Sequence, residues 1–382
     1  MEVKIPPINV QAKIPQPVQQ QPKQVEVEQA NIDFQNESWA QPLDPTQLVT
    51  APPLTTQVCK SKVAHELEMF NKIMEFERDA FNPSKKGFKT GFKMLDDGLE
   101  GLQTGFHMIA GDSNHGKSGF MSQLAWNVAQ LNPDAYVMDF SLDDPLRDKL
   151  PRVVGCANKV LINAVRDPIK YSQYPEMIKR RDKGMQELVD SIDKYHIYDA
   201  SFSCLIEKIE EEVRRVKIEL AAAGIKKRIC VFIDNFHDLD SENPNSRGTD
   251  KQKYDYLAQK VSDMATELDV PVVCTGEFRK LNGNRRPGVD DIRESVKIKY
   301  EAKSILLIYN EVSAKGESAQ IFYQLNGKPE KQPVFEVKFG KNKYSSFKGR
   351  GFCKFFPQMA YFEEATDADT KYWNNLLYSG GN

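Results

Sequence analysis

Two patterns of hydrophobic and polar positions alternate through most of the chain. Short apolar runs predict largely buried strands, at 106–110, 135–140, 195–198, 229–234, 271–275, 304–309, 320–324 and 334–339. Longer stretches with apolar residues at helical spacing predict helices, at about 120–129, 145–190, 202–223 and 254–268. Strands that alternate with helices are typical of a parallel sheet covered on both faces. We therefore predict an α/β fold, in which the closely linked last strands are antiparallel additions at one edge.

Residues 1–58 show neither pattern. The segment is rich in proline and glutamine, and such a composition cannot bury enough apolar surface to offset the entropy of the chain. We therefore predict a disordered arm. Trp39 within it is interpreted as an ordinary tail residue in preference to a docking peptide for a partner. Residues 366–382 are interpreted as a polar tail.

An amphipathic helix is predicted within 59–85, between the arm and the α/β region, and Asn82-Pro83 ends it. Its apolar positions follow helical spacing and are Val63, Leu67, Phe70 and Met74, with Ile73 beside them. A single helix has to bury such a stripe somewhere. We therefore expect a linker helix that packs either on its own core or on a neighbouring subunit.

Composition narrows the class of protein only slightly. The 382 residues are 40% hydrophobic and 28% charged, as in an ordinary globular protein, and the net charge of −2 gives no overall signature of nucleic-acid binding. Six scattered cysteines without a Cys-x-x-Cys pair favour a reducing compartment such as the cytoplasm and no structural metal. No apolar run approaches the roughly 18 residues of a membrane span, and we see no secretory signal.

The segment Gly111-Asp112-Ser113-Asn114-His115-Gly116-Lys117-Ser118 has the G-x-x-x-x-G-K-S spacing of a phosphate-binding P-loop. A predicted strand precedes it and a predicted helix follows, which makes a chance match in a turn the weaker interpretation. The backbone N–H groups of such a loop and the positive end of the next helix bind phosphates. We expect Lys117 on the β- and γ-phosphates and the Ser118 hydroxyl on Mg²⁺, and so predict that the chain binds a nucleoside triphosphate.

Phosphoryl transfer to water also requires an acid that holds the metal ion. Asp234 ends the apolar run 229–234 and fits this position, the Walker-B acid. An aspartate that only caps a turn is the alternative, and the upstream P-loop favours metal binding. The prediction is that Ser118 and Asp234 hold Mg²⁺ together.

The stretch before the P-loop resembles that of a known family, the DnaB-type replicative helicases. Residues 87–105 read GFKTGFKMLDDGLEGLQTG, and their T-G-F, L-D and G-L-Q-T-G elements match the opening signature of the family's motor domain. The resemblance implies a RecA-like P-loop ATPase domain at 86–365 with a mostly parallel central sheet. It further implies binding of ATP with Mg²⁺, movement along single-stranded DNA, assembly as a ring, expected to be a hexamer, and ATP hydrolysis between subunits.

The same resemblance implies catalytic positions, and several depart from the family. Asp143 in Ser141-Leu142-Asp143 stands where the family has a Glu that polarises the attacking water. Glu277 stands where a Gln senses the γ-phosphate, and an acid there must be protonated or paired with a cation. Lys341 and Lys343 fall on the Lys and Arg that reach the neighbouring subunit's ATP site, although lysine lacks the bidentate fork of arginine. Two apart on a predicted strand, they should share one face.

A basic segment at 279–300 is the candidate DNA contact. Its R-P and D-D-I-R-E-S elements resemble the family's R-P-x-x-x-D-L-R-E-S-G loop, which touches the DNA backbone, although Val296 replaces the glycine. Basic side chains suit phosphate contact, and the candidates are Lys280, Arg285, Arg286, Arg293, Glu294 and Lys297. A solvated charged loop is the alternative.

Two other functions stay open. A RecA- or KaiC-like recombinase or signalling ATPase would share the P-loop and Walker-B acid, but the approach to the P-loop and the R-E-S element favour the helicase. The departures at Asp143, Glu277 and Lys343 also fit a ring or loader component that binds ATP without turnover. The family's primase-binding domain is not recognisable, so the arm is where a primase, loader or polymerase would dock. This organisation is more typical of a viral than of a cellular protein.

Overall fold

A computed structural model describes residues 60–82, 86–244, 248–280, 285–293, 296–325 and 329–379. The predicted arm at 1–58 lies outside these ranges. The helices are α1 (Lys60–Ala80), α2 (Lys93–Leu99), α3 (Lys117–Leu131), α4 (Leu146–Asn158), α5 (Ile162–Arg166), α6 (Pro175–Val189), α7 (Ile206–Ala222), α8 (Asp250–Glu267), α9 (Val296–Glu301), α10 (Glu311–Lys315) and α11 (Asp367–Ser379). Within the described ranges, none of them combines the length and apolar character that a membrane crossing needs.

One sheet of ten strands forms the centre of the described structure. Its strands are β1 (Gly105–Gly111), β2 (Ala135–Ser141), β3 (Tyr195–Tyr198), β4 (Arg228–Asp234), β5 (Pro271–Glu277), β6 (Ser304–Asn310), β7 (Phe322–Tyr323), β8 (Gln332–Asn342), β9 (Arg350–Phe356) and β10 (Tyr361–Glu364). The order is β10-β9-β8-β6-β1-β5-β4-β2-β3, and β7 pairs with β8. Strands β1 to β6 run parallel and β7 to β10 antiparallel, which confirms the predicted mixed α/β sheet.

Apolar cores cover both faces of the parallel part. Alternate residues of a strand point to opposite faces, and β4 shows this directly, since Val231 joins one buried cluster and Phe232 the other. The first cluster includes apolar residues of α7 and α8. The second includes those of α2 and α3. Burial on both faces explains why these strands read as continuous apolar runs.

The antiparallel edge ties the end of the domain to its beginning. Strand β10 pairs with β9, and the Glu364 carboxylate at its end accepts hydrogen bonds from the N–H groups of Lys93 and Met94, both at 2.7 Å. These are N–H groups of the first turn of α2, which have no partner within the helix. Glu364 therefore caps a helix that lies about 270 residues earlier in the chain.

Two segments differ from expectation. The predicted polar tail contains α11, where Trp373 is buried against Phe352 and Val334 and two aspartates favour the first turn. The predicted loop at 279–300 contains the short helix α9. The linker helix α1 lies within the predicted range 59–85. Its residues Leu67, Phe70, Ile73 and Met74 are exposed in the single chain, while the Val63 side chain lies outside the described part.

Candidate nucleotide-binding site and basic segment

The P-loop connects β1 to α3 at the carboxyl edge of the parallel sheet. Gly116 has φ +97°, and a Cβ there would lie 3.0 Å from the Phe355 ring, so both backbone and space require glycine. Lys117 is buried and its Nζ donates a 2.8 Å hydrogen bond to the Asp112 carbonyl across the loop. Burial lowers the pKa of Lys117, while Glu277, Asp234 and Asp112 act to raise it. The lysine therefore crosses the loop among acidic groups.

A cleft of about 560 Å³ opens beside this loop. Its walls include Ser113, Asn114, Gly116, Lys117, Ser118, Asp143, Asp144, Arg152, Asp234, Asn235, Asp238 and Glu277. The predicted nucleotide loop and three of the predicted catalytic acids, Asp143, Asp234 and Glu277, thus meet at one cleft. Burial, and then the charges of those three acids, raise the pKa of Asp238, which reflects how closely the carboxylates converge.

Asp234 is fixed at the end of β4, the strand next to β5. Its carboxylate is buried and accepts a hydrogen bond from the Thr275 hydroxyl. No group of three or more Asp, Glu, His or Cys residues among the described ones is arranged as a complete metal site. This donor set fits Mg²⁺ held by one hydroxyl and one carboxylate, because Mg²⁺ commonly takes its remaining ligands from nucleotide phosphates and water.

The two acids after β2 have different surroundings. Asp144 forms an ion pair with Arg152 on α4, whereas Asp143 is exposed to the cleft. Among the described residues, none forms a hydrogen bond or an ion pair with the Asp143 carboxylate. Ser141 is opposite Asp234 in the β2–β4 register, and Asp143 comes two residues after Ser141. Asp143 and the predicted Walker-B acid therefore line the same cleft. Asp143 thus presents an exposed carboxylate to the cleft that Asp234 also lines.

Glu277 ends β5 and has a cationic partner. Its Oε2 lies 3.7 Å from Nη1 of Arg293, and the Arg293 backbone N–H donates a 2.9 Å hydrogen bond to the Glu277 carbonyl. The sequence predicts that an acid at position 277 is protonated or paired with a cation. Arg293 is such a cation. The pair also joins the nucleotide cleft to the basic segment.

Lys341 and Lys343, which are expected to reach the ATP site of a neighbouring subunit, do not line the cleft of their own chain. Lys341 donates to the backbone carbonyls of Lys299 and Tyr300 at the end of α9, and burial, followed by the charge of Lys343, lowers its pKa to about 8. Strand β8 ends at Asn342, so Lys343 lies just beyond it and is exposed. The prediction that both lysines lie on one strand was therefore wrong, because the strand ends one residue before Lys343.

The basic segment is less exposed than its sequence suggests. The Arg286 guanidinium contacts the buried carboxylates of Glu311 and Glu336, each at 2.9 Å, and Arg285 pairs with Asp291 at 2.6 Å. These internal partners argue against direct phosphate contact by Arg286. Lys280 and Lys297 are exposed, with the Lys297 Nζ 2.9 Å from Gln259 Oε1. Glu294 lies outside the described residues.

Sequence reasoning missed several residues of the cleft. Arg152, Thr275 and Asp238 each contact or line it, yet none belongs to a pattern that was interpreted. Thr275 had a signal, because it lies two positions before Glu277 on a predicted strand and so shares its face. Arg152 lacked one, since its pairing with Asp144 depends on where α4 lies.

The P-loop after β1 and the buried Asp234 at the end of β4, with β5 between them, define the class as RecA-like P-loop nucleotide-binding proteins. Residues 87–364 match the model of the family described as DnaB-like helicase C terminal domain, and the chain belongs to this family.

Similar proteins carry helicase names. A "Probable replicative DNA helicase" of Trieres chinensis is 23% identical over 307 residues, which are 77% of this chain and 64% of that protein. The "Replicative DNA helicase DnaB" of Pasteurella multocida is 24% identical over 269 residues, or 68% of this chain and 55% of that protein. The chain thus spans between about half and two thirds of the length of these relatives.

Solved structures show the same fold. One of them, described as an "ATPase Domain", aligns with a TM-score of 0.65 at 20% identity and covers 78% of this chain and 98% of that one. "The Structure Of A DnaB-Like Replicative Helicase And Its Interactions With Primase" aligns with a TM-score of 0.64 at 20% identity, over 78% of this chain and 66% of that one. Both likenesses concern the RecA-like fold of the domain.

Proposed function

We propose that this chain is the ATP-hydrolysing motor of a DnaB-like replicative helicase, which moves along single-stranded DNA as a ring. The observation that carries the proposal is the cleft itself. It brings the P-loop, Asp143 and Asp234 together, and Glu277 links it to Arg293 of the basic segment. Family membership sets the reaction class, and this link gives a route from nucleotide to DNA.

Each residue of the cleft has a role in this proposal. The P-loop backbone, Lys117 and the start of α3 bind the phosphates of ATP. Ser118 and Asp234 hold Mg²⁺, which neutralises charge on the phosphates. Asp143 accepts a hydrogen bond from the attacking water and orients it, as the free carboxylate of the pair after β2.

We further propose that the site is completed by a neighbouring subunit. Lys341 and Lys343 do not line their own cleft, and the exposed Lys343 is free to contact the nucleotide of the next subunit. The exposed apolar residues of α1, among them Leu67 and Phe70, would pack on that neighbour. A hexameric ring satisfies both requirements.

The remaining interactions follow from the same proposal. Lys280, Arg293 and Lys297 contact the DNA backbone, and a primase, loader or polymerase binds through the arm at 1–58. The protein works in a reducing compartment such as the cytoplasm. The described cysteines are all free, which supports that environment.

A second function is favoured by one specific observation. Asp143, Glu277 and Lys343 stand where the family has Glu, Gln and Arg, and loss of groups that act only in the transition state lowers turnover without preventing binding. The alternative is a ring or loader component that binds ATP and hydrolyses it slowly or not at all.

The first test measures ATP turnover by the full chain with and without single-stranded DNA. Lys117→Ala should abolish turnover, because the loop loses the charge that contacts the β- and γ-phosphates. A wild-type protein that binds ATP without turnover would select the second function. Unchanged turnover in the Lys117→Ala variant would contradict the P-loop assignment.

The second test mixes two inactive variants. Lys343→Ala subunits keep a good P-loop, and Lys117→Ala subunits keep a good Lys343, so mixed rings contain some complete interfaces and turnover should recover. Lys343→Arg should raise turnover if the missing fork geometry is limiting. Normal turnover in Lys343→Ala together with no recovery on mixing would refute a site shared between subunits.

A further inference from the structure

His237 lies beside the cleft and has no role in the steps proposed above. It occupies the short turn Phe236–Asp238 that follows β4, and the side-chain oxygen of Asn235 accepts a 2.7 Å hydrogen bond from its backbone N–H. The ring is only 8% exposed and packs edge-on against Tyr254, with centroids 5.0 Å apart. His237 is therefore held in one place by the strand that carries the Walker-B acid.

The two ring nitrogens of His237 bridge two other segments. Nδ1 accepts a hydrogen bond from the backbone N–H of Glu277 at 3.1 Å, and Nε2 lies 3.4 Å from the carbonyl oxygen of Arg293. A backbone N–H can only donate and a carbonyl can only accept. One neutral tautomer, protonated on Nε2, satisfies both contacts. Burial lowers the pKa of His237 to about 4, so this form persists near neutral pH.

The segment that carries Arg293 is built as an extension of β5. The Arg293 N–H donates to the Glu277 carbonyl at 2.9 Å, and the Arg279 N–H donates to the Asp291 carbonyl at 2.8 Å. Phe278 and Ile292 form an antiparallel bridge between these bonds. The end of β5 and residues 291–293 thus form a short two-stranded ladder, and the His237 ring contacts both strands.

Gly276 lies beside this ring, one residue before Glu277. A Cβ at that position would lie 3.4 Å from Cε1 of His237, an ordinary contact, and 2.8 Å from Sδ of Met108, which would have to shift. The imidazole therefore lies against the end of β5, where it reaches the Glu277 N–H. The close approach is a local feature of β5, the strand that ends at Glu277.

We propose that His237 is a positioning residue that couples nucleotide at the cleft to the placement of Arg293. The inference rests on the proposed function, in which Glu277 links the nucleotide cleft to Arg293 and Arg293 contacts DNA phosphate. A nucleotide that shifts the end of β5 moves the Glu277 N–H, and the ring transmits that shift to the Arg293 carbonyl. Coupling of this kind is reciprocal, so DNA at Arg293 changes nucleotide affinity by the same factor.

The bland alternative is a histidine that only fills the core. Substitution separates the two roles, because phenylalanine fills the same space without either hydrogen bond, whereas glutamine carries one acceptor and one donor group. His107 offers a matched control. It is also buried, at 2% exposure against 8% for His237, and burial lowers its pKa to about 4. Its ring contacts Ser304 Oγ at 2.8 Å and the Gln103 carbonyl at 2.7 Å, near the end of β1 that is away from the P-loop.

The experiment measures the ratio of affinities for a non-hydrolysable ATP analogue with and without an oligo-dT strand, in the full chain. His237→Phe should lower this ratio about five-fold or more, the lower end of typical coupling between sites. His237→Gln should keep a larger part of it, and His107→Phe should leave it unchanged. A wild-type ratio in His237→Phe overturns the inference. So does a loss in His237→Gln equal to that in His237→Phe, or an equal loss in His107→Phe.

Hydrogen exchange distinguishes failure of the inference from failure of the proposed function. A non-hydrolysable ATP analogue should slow amide exchange in peptides that cover residues 285–293 of the wild type, and this protection should be lost in His237→Phe. Wild-type ATP turnover that does not change when oligo-dT is added would contradict the proposed function as a DNA motor. Protection that survives in His237→Phe would overturn the coupling, whatever the affinity ratio shows.

Discussion

The basic segment contains two arginines with opposite surroundings, although they are only seven residues apart in the sequence. Arg286 contacts Glu311 and Glu336, whose side chains are 2% and 3% exposed. Arg293 pairs with Glu277 at 3.7 Å, and these two side chains are 43% and 34% exposed. One arginine belongs to a buried network and the other to an open contact.

The difference indicates which of them can change partner. Glu311 and Glu336 each hold a second cation, Lys315 and Arg350 respectively. Removing Arg286 would leave two buried carboxylates only partly compensated, so this network resists rearrangement. An exposed pair is weak because water and salt screen it, so a DNA phosphate can compete with Glu277 for Arg293. The segment therefore combines a fixed anchor with an exchangeable cation.

The largest expected effect is on stability at the anchor. Arg286→Ala should lower the free energy of unfolding by about 2 kcal/mol, because Glu311 and Glu336 lose a shared charged hydrogen-bond donor and keep only Lys315 and Arg350, respectively. Urea denaturation of the full chain measures it, and Arg293→Ala is the matched control, with an expected change within about 0.5 kcal/mol. Equal losses in the two variants would mean that the two arginines do not differ in this way.

A smaller effect is expected on DNA affinity at the exchangeable cation. Arg293→Ala should weaken binding of oligo-dT and reduce the slope of log affinity against log salt concentration by about 0.7, the value for one phosphate contact on a single strand. Titrations at several salt concentrations measure the slope. An unchanged slope would show that Arg293 stays with Glu277 when DNA binds.

The smallest effect concerns the neighbouring pair Arg285–Asp291. Hydrogen bonding from Arg285, mainly, lowers the pKa of Asp291 to about 2 from an ordinary value of 3.8. The ionised Asp291 carboxylate therefore stabilises the fold above about pH 4, and this stabilisation is lost as the pH falls towards 2. Wild type should be more stable than Asp291→Asn at neutral pH, and urea denaturation should show this margin shrinking over that interval. A margin independent of pH would contradict the ionic contribution.

The strands and the P-loop were predictable because their signals are local. Strand β3 has the predicted bounds and β4 differs by one residue, since strands buried on both faces read as apolar runs bounded by polar residues. The spacing of the P-loop is likewise contained within eight residues. Helix α11 was missed because its one strong anchor, Trp373, packs on strands that are distant in sequence.

The partners of charged residues could not be predicted in the same way. Arg286 reads as a DNA contact in a basic stretch, but its carboxylate partners follow 25 and 50 residues later, and only the fold brings them together. The cation beside Glu277 was foreseen as a requirement, yet nothing in the sequence identified it as Arg293. Motif spacing indicates which chemistry is present. Whether a given arginine forms a buried ion pair or stays available to DNA depends on tertiary packing.

The Glu364 cap on α2 has a consequence for how this domain can be combined with others. Because the carboxylate of β10 holds the N–H groups of Lys93 and Met94, the family region begins and ends at the same place in space. Neighbouring termini are what tolerate circular permutation and domain insertion. We therefore expect the region to accept different flanking segments without a change in the order of its strands.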